Sequence, residues 1–485
     1  MKTNTLDFDA QALRDRILDL AMRGKLVPQD PNDEPASVLL EKIKAEKAEL
    51  VKEKKIKKSK PLPEITDDEK PFDIPDSWEW VRAIDITSNI GDGLHGTPVF
   101  NKIGYPFING SNFINDKITI TENTKFVSQE EFSKYKIPLN KGTVFISLNG
   151  TLGKVALYNN EKIILGKSAG YFNLINPAIR PYFAYYLRSS IFKKFYDKKY
   201  TGSIIKNIPL KALRESPVPL PPLSEQSRIA AKIAQLFALL RKVESSTQQY
   251  AKLQTLLKSK VLDLAMRGKL VKQDPNDEPA SVLLEKIKAE KAELVKEKKI
   301  KKSKPLPPIT DEEKPFDIPD SWEWVRLGDI ATLISGKTEK AFTSPFGVKA
   351  IYFKISDMNY EKNSLFAQTS QKSIVIDNEN QFLPAGAVIF PKRGGAINTN
   401  KKRIVKCKNM VIDMNLMAIS PVNCDMGGWI YWWFSSIDLK NIANGSNVPQ
   451  INNKDIEPLL VPIPSLVEQK KIIKKLKELD YLVDC

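Results

Sequence analysis

The chain has 485 residues, room for two to four domains at about 100–200 residues each. Its 42% apolar fraction excludes a wholly disordered or collagen-like chain, and no apolar run approaches the roughly 18–20 residues that span a bilayer. Lys and Arg total 75 against 58 Asp and Glu, a formal charge of +17 that points to a polyanionic partner such as nucleic acid.

The N-terminus, MKTNTLDFDA, has no apolar core of a secretory signal. Cys407, Cys424 and Cys485 lie at no metal-ligand spacing, which argues against a zinc site or a disulfide scaffold and fits a reducing cytoplasm. His95 is the single histidine, which excludes two-His metal sites, and in the loop GDGLHGTP it suits a structural role better than a catalytic one.

In chain order, residues 1–77 read as an N-terminal helical region and linker. A helical pattern covers Leu13–Leu26, QDPNDEPA breaks it, and Pro35 suits the first turn of a second helix from about Ser37 to Lys58. KSKPLP ends that helix and opens a Pro-punctuated linker to Asp76. Glu41–Lys60 holds nine Lys and four Glu. It recurs at Glu285–Lys304, and the two stretches carry +10 of the net charge. A mixed run of this kind is by default a solvated helix face.

Residues 78–222 switch to period two. Thr143–Ser147, a turn at Asn149-Gly150 and Lys154–Tyr158 form a strand–turn–strand pattern, and Pro181–Tyr196 a helix. Residues 223–321 form a central helical region. From Ser224 to Val271, Ile229, Ile233, Leu236, Leu240, Val243, Tyr250, Leu253, Leu257 and Val261 trace the 3.5-residue seam of a coiled coil. Residues 322–465 repeat the mixed pattern, with Ala387–Phe390, a turn at Arg393–Gly395, a strand at Ala396–Asn398 and a helix at Trp429–Lys440. Residues 466–485 form a last helix that, with the N-terminal region, supplies the antiparallel partner of the central one. Most of the seven tryptophans suit core anchoring.

The dominant signal is a repeat. Leu18–Arg82 returns as Leu262–Arg326, and only Pro28/Lys272, Glu64/Pro308 and Asp68/Glu312 differ. The segments that follow have diverged; LNKGTVFI at Leu139 aligns with LPAGAVIF at Leu383, Gly202-Ser203 with Gly445-Ser446, and PLPPLSEQ with PIPSLVEQ. Cys485 then corresponds to Lys242 and Met1 to Ser245, so the chain reads as a ring of two halves cut within a helix. Near-identical segments suit two copies of one partner, whereas divergent ones suit two different targets.

Catalytic motifs are missing. Gly336-Lys337-Thr338 and Gly166-Lys167-Ser168 have Ala331 and Glu161 where a phosphate-binding loop needs its first glycine, and no methyltransferase or dinucleotide motif occurs. No residue is assigned a catalytic or metal-binding role.

Two variable domains, repeated helical spacers, PLPPLSEQ…RIAAKI and GSNVPQINNKDIEPLLVPIP together resemble the specificity subunit of type I restriction–modification systems over essentially the whole chain. The resemblance implies an α+β fold. Two target-recognition domains are joined by long antiparallel coiled-coil helices in a cyclic pseudo-twofold arrangement. Each domain would read one half of a bipartite, asymmetric double-stranded DNA target. Two methyltransferase subunits carrying S-adenosylmethionine would dock on the spacers, and restriction–translocase subunits would bring ATP and magnesium chemistry, with no cofactor on this chain. A stand-alone sequence-specific DNA-binding protein is the main alternative, with a hidden nuclease or a protein-docking scaffold behind it.

Polar, glycine-bearing loops suit base-edge contacts. The candidates in the first domain are Gly93, His95 and Thr97; Asn109, Ser111 and Asn112; and Asn149 and Lys154. In the second they are Lys337, Lys354, Ser356, Lys392, Arg393, Asn398, Asn400, Lys401, Lys402 and Arg403, the last three forming with Lys406 and Lys408 a basic cluster suited to phosphate.

Overall fold

The computed structural model describes residues 9–58, 60–202, 206–445 and 448–484, with side chains through 479. The chain ends, Ser203 and Ser446, invoked in the repeat, lie outside them. The chain divides at residues 247/248 into two compact units.

In the first unit, α1 (Ala10–Met22) and α2 (Ala36–Lys52) are followed by β1 (Glu79–Arg82), β2 (Thr87–Asp92), β3 (Phe100–Asn101), β4 (Tyr105–Ile108), β5 (Lys125–Val127), β6 (Thr143–Ser147), β7 (Val155–Leu157), β8 (Ile164–Leu165) and β9 (Ala169–Leu174). Then come α3 (Arg180–Arg188), α4 (Ser190–Asp197), β10 (Pro217–Leu220) and the long α5 (Leu223–Met266), whose turns beyond Thr247 belong to the second unit. β2, β9, β6 and β7 form one sheet in that order, and β8, β4, β5 and β3 another. The short antiparallel pair β1–β10 ties the ends of this globular part together, Glu79 opposite Leu220.

In the second unit, α6 (Ala280–Lys296) precedes β11 (Glu323–Arg326), β12 (Ala331–Ser335), β13 (Thr343–Phe353), β14 (Phe366–Ala367), β15 (Ser373–Ile376), β16 (Val388–Pro391), β17 (Arg403–Val405), β18 (Met410–Ile412) and β19 (Leu416–Pro421). α7 (Gly427–Ser435), β20 (Leu460–Ile463) and α8 (Leu466–Asp484) close it. The sheets run β12-β19-β16-β17-β14 and β15-β13-β18, and β11–β20 repeats the tie. The α+β class and the duplicated plan are as the sequence indicates.

Each core joins spacer helix to sheet. Leu18, Met22, Leu39, Ile43, Ile229 and Ile233 pack in one cluster with Trp78 and Phe172, and Met266, Leu283, Ile287, Ile472 and Leu476 in another with Trp322 and Phe390. α1 runs antiparallel to the start of α5, with Arg14 paired to Glu244 at one end and Gln29 reaching Glu225 at the other. α8 pairs likewise with the far end of α5; Leu476 and Leu479 face Val261, Leu262 and Met266 across a cleft of about 620 Å³.

Four local expectations are corrected. The seam of α5 is buried at its ends, but Val243, Tyr250, Leu253 and Leu257 are 43–55% exposed. Pro35 caps α2 instead of entering its first turn, and the helix stops at Lys52 because Lys54 turns left-handed. Pro181–Tyr196 is broken at Ser189, whose hydroxyl donates to Tyr186 O and accepts from Phe192 N, and Trp429–Lys440 is likewise two helices. Ala396–Asn398 belongs to a 3-10 turn over Gly394–Thr399, and the returning strand is β17, after Asn400 takes the left-handed region.

Candidate nucleic-acid interface

Strand direction gathers the first domain's candidate loops at one sheet end. Asp92 closes β2 opposite Gly170 at the start of β9, and Ser147 closes β6 opposite Ala169. The chain leaves β2 through Gly93, whose N–H donates to Ala169 O; an added Cβ there would strike the Leu165 carbonyl, so only glycine fits. Ser168 stitches the next loop down, donating to Asn109 Oδ1 at 2.8 Å and accepting from Gly110 N. Asn149 follows β6 and bridges to Asn207, which bridges to Thr201. The buried Asn149 Oδ1 has no hydrogen-bond partner within the chain.

Of the first domain's candidates, the structure thus groups Gly93, Asn109 and Asn149. His95, 73% exposed and bonded to Asp92 at 2.6 Å, lies farther out with exposed Thr97 and Ser111, and Lys154 is half-buried. Asn112 is corrected. It is 4% exposed and its amide donates to Thr119 O and Thr124 Oγ1, so it builds its loop instead of facing a ligand.

The second domain repeats this end with other residues. Gly336 leaves β12 as Gly93 leaves β2, donating to Leu416 O with no space for a Cβ beside Asp413 O. Lys337 follows, exposed, its carbonyl accepting from Tyr352. Lys392 N donates to Asn415 O, and Arg393 bridges to Gln450, which bridges to Asn444. Burial and the neighbouring Arg393 hold the Lys392 ammonium below the usual lysine range. Lys354 precedes a 3-10 turn and is half-buried over the Tyr352 ring, while Ser356 and Asn398 are exposed.

The basic cluster divides. Lys402 is 4% exposed; its ammonium donates to Ile437 O at 2.6 Å and to Asn400 Oδ1, which also accepts from Leu439 N. Burial pushes its pKa down to about 8. Arg403 donates to Lys402 O and Met358 O, and Lys401 to Asn359. Lys402 and Asn400 are therefore structural, which corrects their assignment as DNA contacts, and Lys406 and Lys408 remain the exposed members.

Sequence reasoning missed Thr201, Asn207, Asn444 and Gln450. Their signal was spacing: both pairs stand six apart and are related by the same shift of 243 that aligns the flanking motifs. It also missed the latch under each domain. Trp78 Nε1 and Gln29 Nε2 donate to the buried Glu225 carboxylate at 2.8 and 2.6 Å, and Trp322 and Gln273 hold Glu468 in the same way. Burial raises both carboxyls despite these donors.

The model of the type I restriction modification DNA specificity domain matches residues 96–254 and 319–485. The chain belongs to this family of specificity subunits. It is 35% identical to the EcoAI specificity subunit of Escherichia coli, over 97% of this chain and 89% of that one. It is 27% identical to the MjaX specificity subunit of Methanocaldococcus jannaschii, over 85% and 89%. A solved structure concerned with complex assembly and conformational transition of the type I system matches at TM-score 0.53 and 18% identity, over 85% of this chain and 92% of that one, and supports the two-domain α+β fold. The family's part is DNA recognition, and the chain is a non-catalytic member of its complex. Among the described residues no helix is long and apolar enough to cross a membrane.

Proposed function

We propose that residues 78–222 and 322–465 are two independent readers of a bipartite, asymmetric DNA target. The helical segments 1–77, 223–321 and 466–485 set the gap and dock two methyltransferase subunits. S-adenosylmethionine would sit on those subunits, and ATP and magnesium on restriction–translocase subunits joined through the complex.

One observation carries this reading. At matched positions of one framework the first domain offers Asn149 beside Asn207, and the second Arg393 beside Gln450. Asn pairs two-fold with adenine and Arg with guanine in the major groove, so like scaffolds would read unlike bases. The identical latches below them suit two copies of one partner. Family membership favours this over a stand-alone DNA-binding protein.

The test is DNA methylation by a cognate methyltransferase subunit with and without this chain, mapped by sequencing. Adenine methylation at a split site only when the chain is present is expected; site-specific methylation without it would overturn the reading.

A further inference from the structure

Both domains carry an exposed large apolar residue at the same point of the fold, and the reading loops do not account for it. Phe100 in β3 and Tyr105 in β4 both lie opposite Val127, on the two sides of β5, so residues 102–104 carry the chain from one side of β5 to the other. Thr343 and Val348 both lie opposite Ile376, and residues 344–347 between them bulge out of β13. Each of these segments ends in a glycine that nothing else could replace. Gly104 has φ +138° and Gly347 φ +143°, and an added Cβ would collide with the carbonyl of Val127 or Ile376. The residue before each glycine is pushed into solvent: Ile103 is 82% exposed and Phe346 85%.

We propose that Ile103 and Phe346 are apolar DNA-contacting tips that enter a groove of the duplex beside the half-site each domain reads. The proposal rests on the recognition domains being DNA readers. Apolar side chains serve DNA by meeting thymine methyls or wedging at base steps. Continuity favours DNA as the occupant. From His95 to Ile103 the chain is exposed apart from Pro98 and Phe100, a run from the reading end to the tip, with Lys102 at its edge; Lys337 to Gly347 does the same, with Phe342 as its one buried residue. At about 3.3 Å per residue, Ile103 stands at most about 20 Å from Asn109, near half of the roughly 34 Å turn of a duplex. Difference favours it too. Docking of two identical subunits calls for identical contacts, as in the latches, whereas these segments share the glycine and differ in the side chain before it.

The experiment uses the full chain with its methyltransferase partner and a duplex carrying the mapped target. Ile103→Ala and Phe346→Ala should each raise the dissociation constant about tenfold. They should leave its salt dependence unchanged, because no charge is lost, whereas Lys102→Ala should reduce the salt slope by about one. Phe346→Leu should retain most of the affinity, and none of these exposed changes should alter melting. Wild-type affinity for both alanine variants would overturn the proposal while leaving the recognition reading intact. Weakened assembly with the methyltransferase in the absence of DNA would also overturn it and assign the tips to protein. Failure of the wild-type complex to select a bipartite target would remove the reading on which it rests.

Discussion

At the residue scale, Glu225 and Glu468 show what near-identity between the halves protects. A carboxylate buried under a tryptophan is costly alone, but each accepts from an indole and an amide that would otherwise be orphaned. Glu225→Ala should destabilise the first unit by about 1–3 kcal/mol, the cost of unpartnered buried donors, and Glu225→Gln much less; urea unfolding measures both. Lys402 offers a pH test. Its folded pKa of about 8 lies below the ordinary lysine value, so the unfolded chain binds the extra proton and stability rises with pH between about 8 and 10.4. A shift of that size is worth up to about 3 kcal/mol, and Lys402→Met should abolish this rise in unfolding experiments across the range. Nothing in the run KKR announces that its middle ammonium turns inward. Lys402 looks like its neighbours in sequence, and the carbonyl of Ile437 that captures it is 35 residues away.

At the element scale, legibility followed locality. The pattern Thr143–Ser147, Asn-Gly and Lys154–Tyr158 became β6, a turn and β7 because β-branched and aromatic residues and a left-handed glycine act within a few residues. Ala396–Asn398 has similar composition, yet its chain closes a 3-10 turn whose end, Asn400, is anchored by Leu439 from a distant helix. The proposed reading end was half legible. Loops at strand ends showed as Gly and Asn clusters, but their convergence depends on the order β2-β9-β6, which no local pattern encodes. Asn149 and Arg393 make the matching prediction. Asn149→Ala should relax selection at one base pair of the first half-site, at a cost of about 1–3 kcal/mol in binding, and leave the second half-site unchanged. Arg393→Ala should do the reverse. Methylation mapping of both variants checks this, and a change spread over both half-sites would contradict separate readers.

At the scale of the whole molecule, the element common to both units is α5, unbroken from Leu223 to Met266. Its ends are packed by α1 and α8, whereas Val243, Tyr250, Leu253 and Leu257 in its middle turns are exposed. The 3.5-residue periodicity made the helix legible, but periodicity alone does not say which turns find a partner. These exposed turns are the place where length can change without disturbing either latch. Four residues inserted after Gln249 would lengthen α5 by about 6 Å and add about 40° beyond one full revolution, at 1.5 Å and 100° per residue. A base pair advances about 3.4 Å, so the preferred gap between half-sites should grow by one or two base pairs while both half-sites stay the same. Because Trp78–Glu225 and Trp322–Glu468 lie outside the insertion, each unit should keep its stability, and unfolding measurements provide that control. Sequencing of adenines methylated by the variant with its methyltransferase partner gives the gap directly. An unchanged gap with full activity would mean that α5 holds the two readers on one chain without measuring the distance between their targets.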